Sequence, residues 1–332
     1  MATPSQQGSA GTQMVILGLV VASGLIFLIG LLVGAGTNSD PNGLGATSAQ
    51  VAPDRDDGPF PPLVAAVTVK GDLVAIRTSD GARRTLVTPE SMSGAPTELG
   101  FGGIAMPDSG RIVYYERRSE TGSTVWRVGA EGGPAQRVTD GTDPAISPNG
   151  RLLATIVDAS LVITDLARDT FFAVPAPANT TLHLPAWAPT SRALVLEART
   201  GTDVRLVTAT LGAGDSSRDA AEAGPVELSL GTFTPLPAPP SPDGIEILRR
   251  PTWRASDNAI VGLGFRGGAP YGVVIDPEQG TRTPFAIEGP ALEADYDSMG
   301  LYFGYVLEQG VARWQGRGNA GRIGDDIIKF AW

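Results

Sequence analysis

The stretch that decides the fold is Val138-Thr139-Asp140-Gly141-Thr142-Asp143-Pro144-Ala145-Ile146-Ser147-Pro148-Asn149-Gly150. Its second half recurs along the chain as a short apolar run, a Pro-containing turn and another apolar run, at Pro107, Pro148 and Pro189. Further copies lie around Ala255 and, in degenerate form, around Tyr296, so the successive steps are 41, 41, 66 and 41 residues. A fixed period of roughly 20 to 50 residues indicates a repeat architecture.

Each copy contains enough β-rich segments for four short strands. After the turn at Asn149-Gly150, for example, come Leu161 to Asp165 and Thr170 to Val174, and a later copy has Val204 to Thr208 and Val226 to Leu230. Four strands in about 41 residues form the unit of a β-propeller blade. Without the extra residues of the long step, residues 61 to 332 accommodate six such units. The sequence therefore predicts an all-β, six-bladed propeller with four-stranded antiparallel blades over residues 63–332.

The first blade shows only three strands, at Val64 to Val69, Leu73 to Arg77 and Thr85 to Thr88. The C-terminal run from Ile327 to Trp332 is able to supply the fourth and so join the first blade to the last, which leaves no open sheet edge. The alternative is that this run is the outer strand of the last blade.

The repeat resembles that of the TolB-type, WD-like propellers. In that family it runs Leu-Thr, a variable stretch, Asp, then Pro-x-Trp-Ser-Pro-Asp-Gly, and residues 138–150 match it well. The resemblance covers roughly residues 61–332. It implies an extracytoplasmic, non-catalytic interaction platform associated with cell-envelope complexes.

An apolar segment precedes the repeats. Residues 1–13 form a short tail, and residues 14–36 are predicted to be a transmembrane helix, because Met14 to Gly34 is free of charge and long enough, at ~31 Å, to cross the ~30 Å hydrocarbon core. The first 39 residues lack the basic region of a signal peptide. Cleavage near Gly34-Ala35-Gly36 is the alternative. Two small-xxx-small pairs, Gly18 with Ala22 and Gly30 with Gly34, would let another helix approach closely, although glycine is abundant throughout the chain.

Residues 37–62 are rich in Gly, Pro, Ser and Asp and are predicted to be a flexible tether. The short uncharged tail is easily left inside the cell. We therefore expect a single-pass protein of the cell membrane, with its N-terminus in the cytoplasm and its propeller outside.

Composition excludes several kinds of chemistry. The chain has no Cys and a single His, His183, so disulfides, thiolate metal sites and cysteine nucleophiles are excluded. Half of the net charge of −10 falls on residues 210–248, at −5, and a further −3 on residues 1–62, which leaves the remainder close to neutral. Nucleic-acid binding needs a basic face, so none is predicted.

The residues that precede the repeated strands are expected to ring one mouth of a central channel: Gly102, Asp143, Leu184, Arg250 and Ala291. Asp143, His183 and Arg250 are the candidates for binding a small-molecule ligand there. One carboxylate and one Arg do not make a metal site. Asp140 and Asp143 are either a cation site or, more simply, turn-capping residues before Pro144.

No catalytic or cofactor-binding residue is predicted. No Ser lies in a Gly-x-Ser-x-Gly elbow that would pair with His183, and neither Gly-x-Gly-x-x-Gly string, at Gly262 and at Gly316, precedes a helix. Trp187 and Trp253 are expected to pack between blades, the alternative being ligand stacking.

The long step predicts extra loops at residues 211–225 and 231–248. The second loop is Pro-rich and would be stiff and extended, either as a docking strand for a partner or as a tolerated surface loop. Its candidate docking residues are Pro235, Pro237, Pro239 and Pro240.

The sequence thus favours a membrane-anchored propeller that acts as a protein-interaction module and not as an enzyme, such as an accessory subunit of a cell-envelope or membrane complex whose partner is another membrane or envelope protein. The alternatives are a ligand-binding sensor that uses the channel mouth and a divergent propeller hydrolase.

Overall fold

The structure of the chain, a computed structural model, describes residues 60–89, 98–212, 233–237, 247–267, 269–316 and 319–332. These residues form 24 strands in six four-stranded antiparallel sheets, which confirms the predicted all-β, six-bladed propeller. Within the same ranges, no helix has both the length and the apolar character needed to cross a bilayer. The predicted transmembrane segment, residues 14–36, lies outside the described residues.

The first three blades contain twelve strands. Their bounds are β1 (Leu63–Thr68), β2 (Leu73–Arg77), β3 (Arg83–Val87), β4 (Glu98–Ala105), β5 (Ile112–Ser119), β6 (Gly122–Gly129), β7 (Gln136–Asp140), β8 (Thr142–Ile146), β9 (Leu152–Val157), β10 (Ser160–Asp165), β11 (Thr170–Pro175) and, at the end of the chain, β24 (Ile327–Ala331).

The other three blades contain the remaining twelve. They are β12 (Thr181–Trp187), β13 (Ala193–Thr200), β14 (Asp203–Thr210), β15 (Thr234–Pro235), β16 (Ile247–Arg254), β17 (Ala259–Arg266), β18 (Ala269–Ile275), β19 (Arg282–Ala286), β20 (Ala291–Tyr296), β21 (Phe303–Leu307), β22 (Ala312–Gln315) and β23 (Ala320–Gly324).

Five blades use four consecutive strands, and blade 1 is completed from the other end of the chain. Its order is β24-β1-β2-β3, while blades 2 to 6 begin with β4, β8, β12, β16 and β20. These six inner strands contact one another in a ring. The C-terminal run is thus the inner strand of blade 1, as predicted. The alternative, an outer strand of the last blade, is wrong.

The repeated turn joins the first and second strands of a blade. In blade 3, the Asn149 side chain accepts hydrogen bonds from Ser147 Oγ and from the N–H of Arg151, and Gly150 has a φ of +73°. An Asn-Gly pair suits this turn because the side chain bonds locally and glycine has no Cβ to clash at positive φ. In blade 6, Asp297 takes the place of Ser147: Ser147 Oγ accepts the N–H of Leu152, and Asp297 Oδ1 accepts those of Leu301 and Tyr302. We call the side of the propeller that carries these turns the turn face.

The tryptophans pack between blades, as predicted. Trp187 and Trp253 are buried. Their indole N–H groups donate to carbonyl oxygens in the inner strand of the preceding blade, Trp187 to Ala145 at 3.0 Å and Trp253 to Ala186 at 3.1 Å. Trp332 donates in the same way to the Asp295 carbonyl oxygen, so the contact that joins blade 6 to blade 1 repeats those that join blade 3 to blade 4 and blade 4 to blade 5.

Strand pairing corrects the repeat register in blade 6. Trp187 pairs with Leu194 and Trp253 with Ile260, and the equivalent pair is Tyr296 with Phe303. Tyr296 therefore occupies the aromatic position, two residues before the position of Pro148 and Pro189. The last step is two residues longer than predicted.

Part of the extra sequence in the 66-residue step belongs to the sheet of blade 4. The fourth strand of blade 4 is β15, which pairs Pro235 with Val207. The predicted strand from Val226 to Leu230 lies outside the described residues, as do residues 213–225 of the predicted loop at 211–225.

The chain enters blade 1 on the turn face. The ring centroid of Phe60 lies 4.8 Å from that of Tyr302 and 4.9 Å from that of Trp314. The N–H of Thr78 donates to Pro62 O.

Candidate functional site: the channel mouth

Every inner strand carries a register shift at the same level. In β8, β12 and β16 it falls between Thr142 and Ala145, His183 and Ala186, and Arg249 and Thr252, and related shifts occur in β4, β20 and β24. A bulge bends its strand and redirects a side chain. Six bulges at one level therefore build a distinct rim at the end of the channel opposite the turn face. We call this side the mouth face.

In each inner strand, the rim residue lies three positions before the position that Trp187, Trp253 and Tyr296 occupy in their blades. We call these six rim residues the mouth ring. It consists of Gly102, Asp143, Leu184, Arg250, Glu293 and Lys329. The sequence prediction had Ala291 in the fifth place, which is wrong because of the two-residue register error, and it assigned no sixth residue. The mouth ring contains two carboxylates and two cationic side chains, whereas one of each was predicted.

Three of the bulges have unusual backbone geometry. Asp143, Leu184 and Arg250 have φ values of 49°, 49° and 53°, and each precedes a proline. Positive φ is costly for residues with a Cβ, and a following proline restricts the backbone further. Such conformations persist only where surrounding contacts hold them.

In blade 2 that contact comes from Glu116, which is fully buried. Its Oε2 accepts the N–H of Gly103 at 2.8 Å and the N–H of Asp143, in blade 3, at 3.2 Å. Its Oε1 accepts from Arg118 Nε at 2.8 Å. A Cβ at Gly102 would lie 2.0 Å from Glu116 Oε2, so the ring has glycine there because the carboxylate fills that space.

Glu197 has the same role in blade 4. It is fully buried, its Oε1 accepts the N–H of Arg250 in blade 5 at 2.7 Å, and its Oε2 accepts from Arg199 Nη2 at 2.6 Å. Both glutamates thus hold a strained residue of the next blade while an Arg two positions later neutralises them. Neither glutamate was predicted as a site residue from the sequence. The signal that identifies them is Glu-x-Arg inside an apolar second strand.

Asp143 links blades 3 and 4. Its Oδ2 accepts the N–H of Leu184 at 3.3 Å and lies 3.8 Å from His183 Nδ1. Burial raises the pKa of Asp143, but the nearby His183 ring, the hydrogen bond from the Leu184 N–H and the charge of Lys329 outweigh burial and hold that pKa below its usual 3.8. The predicted neighbours Asp143 and His183 therefore do come together.

The Arg250 side chain points away from blade 4 and forms an ion pair with Glu293 in blade 6. The distance from Arg250 Nη1 to Glu293 Oε2 is 2.9 Å, and Lys329 Nζ lies 3.7 Å from Glu293 Oε1. Burial raises the pKa of Glu293, and the charges of Arg250 and Lys329 only partly oppose that effect. Three charged residues of the mouth ring, Arg250, Glu293 and Lys329, thus pair with one another, and Asp143 is bonded to the Leu184 N–H.

Behind the mouth ring, the channel contains a cavity of 210 Å³ whose lining extends to Asp108, Asp295 and Asp297 near the turn face. Burial raises the pKa of Asp295 to about 6 and also raises the pKa values of Asp108 and Asp297. Mutual repulsion among these carboxylates adds to the effect. Among the described residues, no group of three or more His, Asp or Glu side chains is arranged to hold a metal ion.

The mouth face also carries apolar side chains. Leu292 and Ile328 immediately precede Glu293 and Lys329 of the mouth ring and are 47% and 38% exposed. Val69, 61% exposed, follows β1, and its N–H donates to Asp326 O beside the start of β24. We call Val69, Leu292 and Ile328 the apolar patch. Val69 and Ile328 belong to blade 1 and Leu292 to the neighbouring blade 6.

The predicted proline docking residues lie elsewhere. Pro235 is in β15, at the outer edge of blade 4, and Pro237 packs against Gly280 in a turn of blade 5, where a Cβ would meet the Pro237 carbonyl. Pro239 and Pro240 lie outside the described residues.

Comparison with known proteins supports the fold. No protein-family model matches the sequence, and no curated protein matches it. TolB from Acinetobacter baumannii has a TM-score of 0.60 at 13% identity, over 83% of this chain and 67% of that one. A chain of a nidogen/laminin complex has a TM-score of 0.55 at 10% identity, over 81% of this chain and 97% of that one. An oligogalacturonate lyase in complex with manganese has a TM-score of 0.48 at 13% identity, over 80% and 85%.

Identities this low relate the chains by fold alone. Combined with the six four-stranded blades and the ring closed by β24, they lead to one conclusion: the chain is a six-bladed β-propeller whose fold is similar to that of TolB.

Proposed function

We propose that this chain is a membrane-anchored, extracytoplasmic propeller that acts as a non-catalytic protein-interaction module, as an accessory subunit of a cell-envelope or membrane complex. Its mouth face is the docking face. The observation that carries the proposal is the combination, on that face, of exposed apolar side chains with a ring whose charged side chains already have partners.

The apolar patch favours a protein partner. Of the five large apolar side chains that are exposed in the described residues, three form this patch. Adjacent exposed apolar residues with a polar surround are typical of interaction sites. Lys70, which follows Val69, and Glu308, whose N–H donates to Pro290 O two residues before Leu292, are both exposed.

The pairing of charges in the mouth ring favours binding over catalysis. A general base or nucleophile needs a group that is free to react. Asp143 instead accepts from Leu184, and Glu293 lies between Arg250 and Lys329. The chain of similar fold in the nidogen/laminin complex is consistent with a propeller that assembles with another protein.

The test is purification of the full-length tagged chain in mild detergent after in-cell crosslinking, followed by mass spectrometry. We expect a stoichiometric membrane or envelope partner. Leu292→Glu combined with Ile328→Glu should abolish its recovery. Met299→Glu, at an exposed apolar residue on the turn face, is the matched control and should retain it. Recovery of the chain alone, or equal loss in both variants, would overturn the proposal.

A ligand-binding sensor is the second candidate, favoured by the 210 Å³ cavity behind the ring and its acidic inner end. A small cationic molecule fits that charge. Thermal stabilisation of the wild-type chain by such a compound, lost in Asp108→Asn, would support it, because binding only to the folded state raises stability.

A further inference from the structure

We propose that two copies of this chain pair through β11, the outer strand of blade 3, to form a continuous antiparallel sheet across a two-fold axis at Phe172.

The outer strand of a blade is an open sheet edge, and proteins normally protect such edges with charge, proline or short length. Four of the six outer strands described carry an Arg within the strand: β3 has Arg83 and Arg84, β7 Arg137, β19 Arg282 and β23 Arg322. The fifth, β15, is only two residues long and includes Pro235.

The sixth outer strand, β11, lacks this protection. It is six residues long, Thr-Phe-Phe-Ala-Val-Pro, without a charge, and its one proline is the last residue. Phe171 is 74% exposed, the largest exposed fraction among the large apolar side chains described. An uncharged strand with an exposed aromatic side chain is suited to pair with another strand.

The hydrogen-bond register shows which groups of β11 face outward. Pro175 pairs with Ser160 and Ala173 with Val162, and beyond the strand the N–H of Ala176 donates to Ala159 O at 2.9 Å. Hydrogen-bonded and non-bonded pairs alternate along an antiparallel ladder. Phe171 and Ala173 therefore direct both N–H and C=O away from β10, while Pro175 directs only a C=O.

This outward pattern is self-complementary in one register. If Phe172 faces Phe172 of a second copy, Phe171 faces Ala173 of that copy, and each of these pairs exchanges two hydrogen bonds. All four outward N–H groups of the two copies are then bonded. A register centred on Ala173 would set Phe171 against Pro175, which has no N–H to donate.

Charge also agrees with pairing between two copies. In the register centred on Phe172, Asp169 faces Pro175 and Arg168 faces Ala176, so no like charges oppose each other. At β3 or β7 an arginine of each copy would enter the interface. Two copies are thus able to pair through the outer strand of blade 3, whereas the arginines oppose pairing through the other long outer strands.

The expected pair is weak in dilute solution, because one strand pair buries less than the ~1,200–2,000 Å² of a stable interface. The predicted membrane segment would concentrate the copies in one plane and raise their effective concentration. The experiment therefore uses the full-length chain in lipid vesicles.

The test is disulfide trapping, which is clean because the chain has no cysteine of its own. A disulfide needs Cα atoms about 4.4–6.8 Å apart. Phe172→Cys should crosslink to itself. Phe171→Cys and Ala173→Cys, both at exposed positions, should crosslink several-fold more when mixed than when either is alone. Thr85→Cys, on the Arg-containing β3, is the matched control and should stay monomeric.

The mixed pair keeps the test valid if Phe172→Cys does not fold, since Phe172 packs against the core between blades 3 and 4. As a second readout, Phe171→Lys combined with Ala173→Lys should abolish dimer detected by chemical crosslinking in the same vesicles. No enrichment of the mixed pair over either single variant, or equal crosslinking at Thr85→Cys, would overturn the proposal.

Discussion

The backbone N–H of Arg250 donates a 2.7 Å hydrogen bond to Oε1 of Glu197, a fully buried carboxylate of the preceding blade. The same relationship joins Asp143 to Glu116. In both, a carboxylate on a second strand holds a residue of positive φ in the next blade. The glutamates therefore join neighbouring blades at the level of the mouth ring.

Replacing Glu197 should destabilise the propeller. Glu197→Ala leaves the Arg250 N–H without its acceptor, so we expect the free energy of unfolding to fall by about 1.5–3 kcal/mol. Glu197→Gln keeps an acceptor oxygen and should cost less. Urea denaturation followed by circular dichroism measures both, with the exposed Glu278→Ala as control, expected to change stability by less than about 0.5 kcal/mol. Equal stability of Glu197→Ala and wild type would show that the contact is dispensable.

Trp253 should matter for stability through its packing and its indole N–H. Trp253→Ala removes a buried side chain and should lower the free energy of unfolding by about 3–5 kcal/mol. Trp253→Phe keeps most of the packing but loses the bond to Ala186 O, a loss of about 1 kcal/mol. Denaturant titration of both variants beside Trp126→Phe, at a half-buried tryptophan, gives the comparison. A larger effect at Trp126 would contradict inter-blade packing as the role of Trp253.

Asp295 should make the propeller less stable as pH rises. Its pKa of about 6 lies above the usual 3.8, so the folded state binds the proton more tightly than the unfolded chain does, and stability falls as pH rises from about 4 to 6. The loss is up to about 3 kcal/mol. Asp295→Asn should be more stable than wild type at pH 7.5 and show a flatter profile. Unfolding titrations between pH 4 and 8 test this, and an unchanged slope in the variant would refute it.

Asp143, in contrast to Asp295, should make the propeller less stable as pH falls. Its pKa is depressed in the folded state, so the stability it contributes is fully present above the usual carboxyl pKa and is lost as pH falls through the lowered value. Asp143→Asn should therefore be less stable than wild type at pH 7, with the difference shrinking towards pH 3. Thermal unfolding at the two pH values measures it. A difference that grows at low pH would contradict the assignment.

The sequence allowed the blade number, the turns and the closure to be predicted, because each depends on local chemistry that recurs. Asn149-Gly150 indicates a turn wherever it occurs, and Trp187 and Trp253 mark the same position in successive blades. Asp143, His183 and Arg250 were placed near the mouth by this period alone.

The rest of the candidate site depends on contacts between blades, which have no period in the sequence. Glu293 was missed because Tyr296 replaces a tryptophan and no proline follows, so the repeat was aligned two residues out of register. Lys329 was missed because its strand belongs to a blade that begins more than 260 residues earlier. Glu116 and Glu197 lie in apolar strands, where only their bonds to the next blade reveal their role.

The position of β24 in blade 1 has a consequence for biosynthesis. The 239 residues between Val87, where β3 ends, and Ile327, where β24 begins, take roughly 10–50 s to synthesise at the usual rate of translation. Throughout that time Ala65 and Ala66 have no strand to pair with on their inner side. The first blade is therefore complete only after residues 327–331 have been synthesised, and the inner edge of β1 stays unpaired until they arrive.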